Sequence, residues 1–322
     1  MVGVIPLLHN TTLKNREPIR LALDFIKTRL NHLLVLIFSA LFFFTSPPEG
    51  VYTPICISLI VLLGIPHGAA DHLIHSSLSS KANLKKYIFK YIALAFGFGF
   101  WWALYPDKAL LFFVALSTYH FGQEALENLK VRDIRFWDIV IWGSVVLLGP
   151  LILNYTHLKT SFDSMSSSHL PDISQWVQVS VGVALIMLAL SHAFLLALSY
   201  RIQRTQLIQL ILQLAIISTL YLILPFLVAF TAYFIFFHSW NAFKHQYTWL
   251  ASINSNYSIK RFAKDLLLFS SIAIASLIAL ICAFRPDTWV GLTVYLLIVI
   301  SVITLPHTLL FDQFYSARAK PK

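Results

Sequence analysis

Long apolar runs recur along this chain so regularly that they leave little room for anything else. Ten stretches, at approximately 32–46, 53–76, 87–105, 109–127, 135–155, 176–200, 205–222, 224–243, 262–284 and 288–314, are each mostly apolar. About 20 such residues in a helix suffice to cross the hydrocarbon core of a bilayer. Only 12% of the 322 residues are charged and 58% are hydrophobic, with a mean hydropathy of +0.73. Soluble domains average about 25% charged residues. So few charges cannot coat a water-facing surface, which excludes a soluble enzyme, a disordered chain and a DNA-binding module. The sequence predicts an all-α, polytopic transmembrane helical bundle of about ten spans. Eight or nine also fit, because the first run is short and only Pro225 divides the seventh from the eighth.

The net charge of +10 fits lipid better than nucleic acid, since basic residues collect on the cytoplasmic side of membrane proteins. With ten spans and both termini inside, 21 of the 24 Lys and Arg fall in cytoplasmic segments. Outside loops keep only Lys108, Lys159 and Arg285. The expected organisation is a basic cytoplasmic segment over 1–31 with an amphipathic lead-in, one transmembrane domain over 32–314, and a basic tail over 315–322. No removable signal peptide is read at the N-terminus. The Ser-rich outside loop, about Thr156–Ser174, reads as a flexible connector. Cys56 and Cys282 both lie in apolar runs and offer no disulfide or metal framework.

Ionisable groups inside a bilayer are costly and therefore point to function. Of the twelve histidines, His9, His157 and His169 fall in loops or tails, and His32 opens the first span. His67, His120, His238 and His307 belong to the second, fourth, eighth and tenth spans, all running from outside to inside. The next cytoplasmic Lys or Arg follows 14, 10, 6 and 11 residues later. At 1.5 Å per residue, all four lie roughly 9–21 Å from the inner boundary. Four imidazoles at similar depth on four helices can converge on one metal, and neutral imidazole suits iron, zinc and copper.

The flanking residues fit such a site. A metal-bound histidine usually donates its other N–H to a carboxylate or carbonyl. Asp71 follows His67 at i+4, and Glu124 follows His120 at i+4; Asp312 is five residues beyond His307. Gly68 and Gly122 would admit a close neighbour, and Pro66 and Pro306 stand directly before two of the histidines. His192, on the sixth span, has similar depth but no acidic neighbour. His72, His75 and His245 lie nearer the surface, and His245 is about 10 Å along the helix from His238.

Pro66-His67-Gly68-Ala69-Ala70-Asp71, His120-Phe121-Gly122, Tyr233 through His238-Ser239, and Pro306-His307 with Asp312 resemble the Brp/Blh-type β-carotene 15,15'-dioxygenases. These are integral membrane proteins of bacteria and haloarchaea, and the resemblance runs from about residue 55 to 315. It implies an oxidoreductase that uses Fe(2+) and O2 to split the central double bond of β-carotene into two retinal molecules. It also implies a carotenoid entering from membrane lipid, a rhodopsin as possible acceptor of the retinal, and residence in a bacterial or archaeal plasma membrane. By the same resemblance His67, His120 and His238 are iron ligands. The family often places a further histidine four residues after the third, where this chain has Ala242. His307 is the expected fourth ligand, with His192 and His245 in reserve. Asp71, Glu124 and Asp312 are expected to orient the ligand imidazoles.

Two other readings use the same residues. A di-iron desaturase or hydroxylase would explain His67-x4-His72, although no His-x-x-His-His occurs in the sequence. A metal-ion or proton transporter would need a polar path to the outer face, and Pro54–Leu63 and Val290–Thr304 offer few ionisable groups.

Overall fold

The computed structural model describes residues 17–78, 83–163, 169–285 and 288–319. Most of the basic N-terminal segment with His9, Lys81, part of the Ser-rich loop and the last three residues of the basic tail lie outside the described residues. Among the described residues the chain is helical and contains no strand. The helices are α1 (Glu17–Thr45), α2 (Glu49–Leu78), α3 (Leu84–Leu104), α4 (Pro106–Asn128), α5 (Phe136–Leu153) and α6 (Tyr155–Asp163). They are followed by α7 (Gln175–Leu198), α8 (Arg204–Ile223), α9 (Phe226–Ile253), α10 (Ile259–Phe284) and α11 (Trp289–Ala319).

Eight of these, α2, α3, α5 and α7 to α11, are long and apolar enough to cross a membrane. The other two runs read from sequence are α4 and the Leu30–Thr45 part of α1, which is shorter. Helix α4 has 23 residues, but its second half carries His120, Gln123, Glu124 and Glu127. Pro225 does separate α8 from α9, because a residue before proline avoids the helical region; Leu224 has φ −114° and ψ 152°. Large apolar side chains stay exposed along the bundle, among them Phe96, Phe100, Leu267 and Leu268. Hydrocarbon is the solvent such a surface requires.

The connector after α5 differs from the sequence expectation. Tyr155–Asp163 forms α6, whose Phe162 is buried beside Phe98 and Trp102. Its start is tied by Tyr155 Oη donating to the Pro171 carbonyl at 2.6 Å and by Gln178 donating to Thr156 at 3.0 Å, and its end by the Leu170 N–H donating to Asp163 at 3.0 Å. The departure concerns Tyr155–Asp163 and the segment from 169 onward; the serine run within 164–168 lies outside the described residues.

Two local features position the interior. Helix α2 widens to π-winding over Ile60–Gly64, directly before Pro66, whose missing N–H leaves the preceding turn without a donor. Of the other two π-segments among the described residues, Ser144–Leu148 in α5 and Phe234–Ser239 in α9, the latter contains His238. Between α4 and α5 the contact is closest at Gly122 and Gly143. A Cβ on Gly122 would strike the Ile139 carbonyl oxygen, and one on Gly143 the Thr118 carbonyl oxygen. Small residues let helices in membranes approach in this way, and here they lock the helix that carries His120.

Candidate metal centre

His67 on α2, His120 on α4 and His238 on α9 offer ring nitrogens that all lie within 4.8 Å of one another. His307 on α11 completes a ring of imidazoles. The centroid separations are 5.1 Å for His67–His238 and His67–His307, and 5.0 Å for His120–His238 and His120–His307. Adjacent rings stand nearly perpendicular, at 78° to 88°. All four are buried. Neighbouring imidazoles set edge to face in a closed cycle surround a point rather than stack on each other.

Hydrogen bonding decides which nitrogens are left over. His67 Nδ1 donates to the Gly64 carbonyl, the last residue of the π-segment. His307 Nδ1 donates to Asp71, 2.8 Å from Oδ1 and 2.9 Å from Oδ2. Both nitrogens of His120, Nδ1 of His238 and Nε2 of His307 are buried with no hydrogen-bond partner. Each such orphan costs about 1–3 kcal/mol when nothing satisfies it. A cation among them satisfies several at once, so the donor set fits a nitrogen-liganded divalent metal. Charge fits too. Asp71 and Glu124 are buried at 3% and 1% exposure, and Glu124 Oε2 lies 3.9 Å from His238 Nδ1. Two carboxylates balance a dication where the surroundings are apolar.

The residues from which this centre is built fall inside one family match. A family model described as Beta-carotene 15,15'-dioxygenase matches residues 58–315. The chain belongs to this family. It is accordingly an oxidoreductase of the dioxygenase class. A relative, the Beta-carotene 15,15'-dioxygenase of uncultured marine bacterium 66A03, is 26% identical over 208 residues, covering 62% of this chain and 71% of that protein. No solved structure matches the chain. The matched range contains all four histidines of the cycle and begins after α1.

In this family member the acidic partners are distributed differently from their sequence spacing. Asp71 serves His307 rather than His67, four residues before it. The helix is interrupted at Ala70 (φ −76°, ψ −7°), which turns Asp71 off the face of His67. Glu124 approaches His238 instead of His120. Asp312 is exposed and accepts from Tyr119 Oη at 2.7 Å and Gln123 Nε2 at 3.3 Å; it has no histidine contact among the described residues.

The two reserve histidines lie elsewhere. His192 accepts from Trp142 Nε1 at 3.1 Å and donates from Nε2 to Asp138 at 2.8 Å, while Arg201 binds the other oxygen of Asp138 at 2.5 Å. That network ties α5 to α7. His245 faces Tyr315 Oη at 3.3 Å. Ala242 is buried among Ala69, Ala70 and Phe311. Helix α11 brings His307 to the cycle from a different direction.

Other contributors surround the imidazoles, and of these only Phe121 lies within a motif. Phe121 stacks on His238 at 4.2 Å and 5°, and Phe311 covers His307 at 4.3 Å. Gln246, fully buried, donates to the His67 carbonyl at 2.8 Å and fixes α9 against α2. A glutamine inside an apolar helix was a readable signal, because polar side chains hold membrane helices together. Gly68 makes no backbone contact of the Gly122 kind; a Cβ there would meet only His307 Nδ1, at 3.9 Å.

Proposed function

We propose that this protein is a membrane-embedded, iron-dependent carotenoid dioxygenase that splits the central double bond of β-carotene with O2 into two molecules of retinal. The observation that carries the reading is the closed cycle of four buried imidazoles, three of which have nitrogens without a hydrogen-bond partner. His67, His120, His238 and His307 would hold one Fe(2+), within a single catalytic domain spanning 32–314. Bound ferrous iron supplies the activation of O2. One C40 polyene and one O2 give two C20 aldehydes with every atom accounted for, so the chain need not deliver or remove a proton.

The side chains position and exclude. Asp71 and the Gly64 carbonyl keep the protons of His307 and His67 on Nδ1, which turns Nε2 of each toward the centre. Phe121 and Phe311 hold two rings in place and keep water out. The apolar carotenoid enters from membrane lipid. The excess of basic residues in alternate loops supports a cytoplasmic position for those loops and for both termini, with the metal centre in the cytoplasmic half of a plasma membrane. A retinal-binding rhodopsin is the natural acceptor of the product.

One centre rather than two separates this reading from a di-iron oxygenase. Expression in carotene-producing cells should bleach the orange colour and yield retinal by chromatography, and the purified chain should carry one iron. Persistent carotene in cells making iron-loaded protein overturns the assignment, as does a reproducible two irons per chain.

A further inference from the structure

A groove of about 570 Å³ runs between the end of α2, the start of α3 and the last third of α11. Its two long walls change character in the same direction. On α3 the lining passes from Asn83, Lys86 and Lys90 to Leu94; the last three are spaced four apart and share one helix face. On α11, which runs the opposite way, it passes from Gln313 through Leu309 to Pro306. One end is therefore cationic and hydrogen-bonding, and the other is hydrocarbon.

The cationic end is unbalanced. No Asp or Glu lines the groove. Lys86 and Lys90 are exposed, and neither pairs with a carboxylate among the described residues. Asn83 caps α3 by accepting from the Lys86 backbone N–H at 3.0 Å, which sets the first lysine at the mouth. The stacked rings of His75 and Tyr87, 4.1 Å apart at 12°, give the groove a firm side. A graded cleft of this kind between transmembrane helices matches an amphiphile with an anionic head near the bilayer surface.

We propose that this groove binds one anionic glycerophospholipid, with its phosphate between Lys86 and Lys90 and an acyl chain along Leu94, Leu309 and Pro306. The occupant lies against the stretch Pro306–Leu310 and so covers the segment of α11 that bears His307. This assignment stands whether or not the buried histidines hold iron, since it rests on different residues.

Native mass spectrometry of the full-length protein, delipidated and then titrated with phosphatidylglycerol or phosphatidylcholine, tests it. The wild-type chain should retain one phosphatidylglycerol, and Lys86→Gln with Lys90→Gln should weaken retention about 30-fold, the worth of two lysines at a membrane surface. Lys86→Arg with Lys90→Arg should keep it, and Leu94→Trp should expel the lipid while both lysines remain. The control Lys260→Gln with Lys264→Gln, exposed lysines on α10, should leave retention unchanged. Equal retention of phosphatidylcholine overturns the proposal. So does an equal loss in the α10 control, or displacement by inorganic phosphate at the concentration of the lipid.

Discussion

The imidazole of His307 and the carboxylate of Asp71 meet across 236 positions of sequence, with Nδ1 2.8 Å from Oδ1. This bond joins α11 to the second half of α2 and fixes the His307 tautomer that leaves Nε2 bare. Partners of this kind typically contribute 10–100-fold to metal affinity. Asp71→Asn should therefore weaken iron binding by about 10–100-fold, read by metal titration of the purified protein, with helical content unchanged by circular dichroism. Unchanged affinity would remove Asp71 from the centre.

The fourth ligand has its own test. Alanine at His67, His120, His238 or His307 should each bring iron well below one equivalent and abolish retinal formation. Phenylalanine at His192 or His245 should leave the iron content intact, since both imidazoles are engaged elsewhere. Elemental analysis of the six variants decides, and a His307 variant that keeps full iron would return the fourth position to one of the others.

The α4–α5 contact predicts an asymmetry among glycines. Gly122→Ala and Gly143→Ala each drive a methyl into backbone, and overpacking of this sort costs about 1–3 kcal/mol. Gly68→Ala faces open space out to 3.9 Å and should be nearly neutral. Thermal unfolding in detergent should show lowered midpoints for the first two alone.

Removing Asp138 separates stability from chemistry. Asp138→Ala leaves the buried His192 Nε2 without its partner, at a cost of about 1–3 kcal/mol, while Arg201, partly buried, keeps the Arg132 and Asp133 carbonyls. The variant should unfold at lower denaturant, while the fraction that stays folded binds iron like the wild type. Loss of iron from correctly folded Asp138→Ala would count against a purely structural network.

Helix α6 supplies a pH prediction outside the membrane spans. The Lys159 hydrogen bond, and next the Leu170 N–H, hold the Asp163 carboxyl below its ordinary 3.8. A group with a depressed folded value stabilises fully above the unfolded value and loses that stabilisation as pH falls through the folded one. Amide exchange in Tyr155–Asp163, corrected for intrinsic rates, should thus be flat from pH 8 to about 5 and quicken only below about 4. Acceleration between pH 8 and 6 would contradict it.

Much of this protein was legible in its sequence. Apolar run length marked the spans, because a bilayer imposes one length on every helix that crosses it. Polar residues expensive to bury singled out His67, His120, His238 and His307 at one depth. The same cost marks Gln246, although it lies outside any histidine motif. In the connector after α5, the described part, Tyr155–Asp163, is helical where serine content suggests a flexible loop. The Pro171 and Ile173 carbonyls of the connector accept from Tyr155 and Gln178, partners that no local pattern announces.

The pairing of acids with histidines was settled only in three dimensions. Spacing of i+4 linked Asp71 to His67 and Glu124 to His120, as it would in uninterrupted helices. The interruption at Ala70 and the close approach of α9 and α11 gave those carboxylates to other helices instead. Sequence alone determined which residues the membrane would force inward and how deep they lie, since hydrophobic length and burial cost act on each helix separately. Rotation about each helix axis, and with it the direction of every imidazole, follows from packing among helices distant in sequence, so only the tertiary structure could decide it.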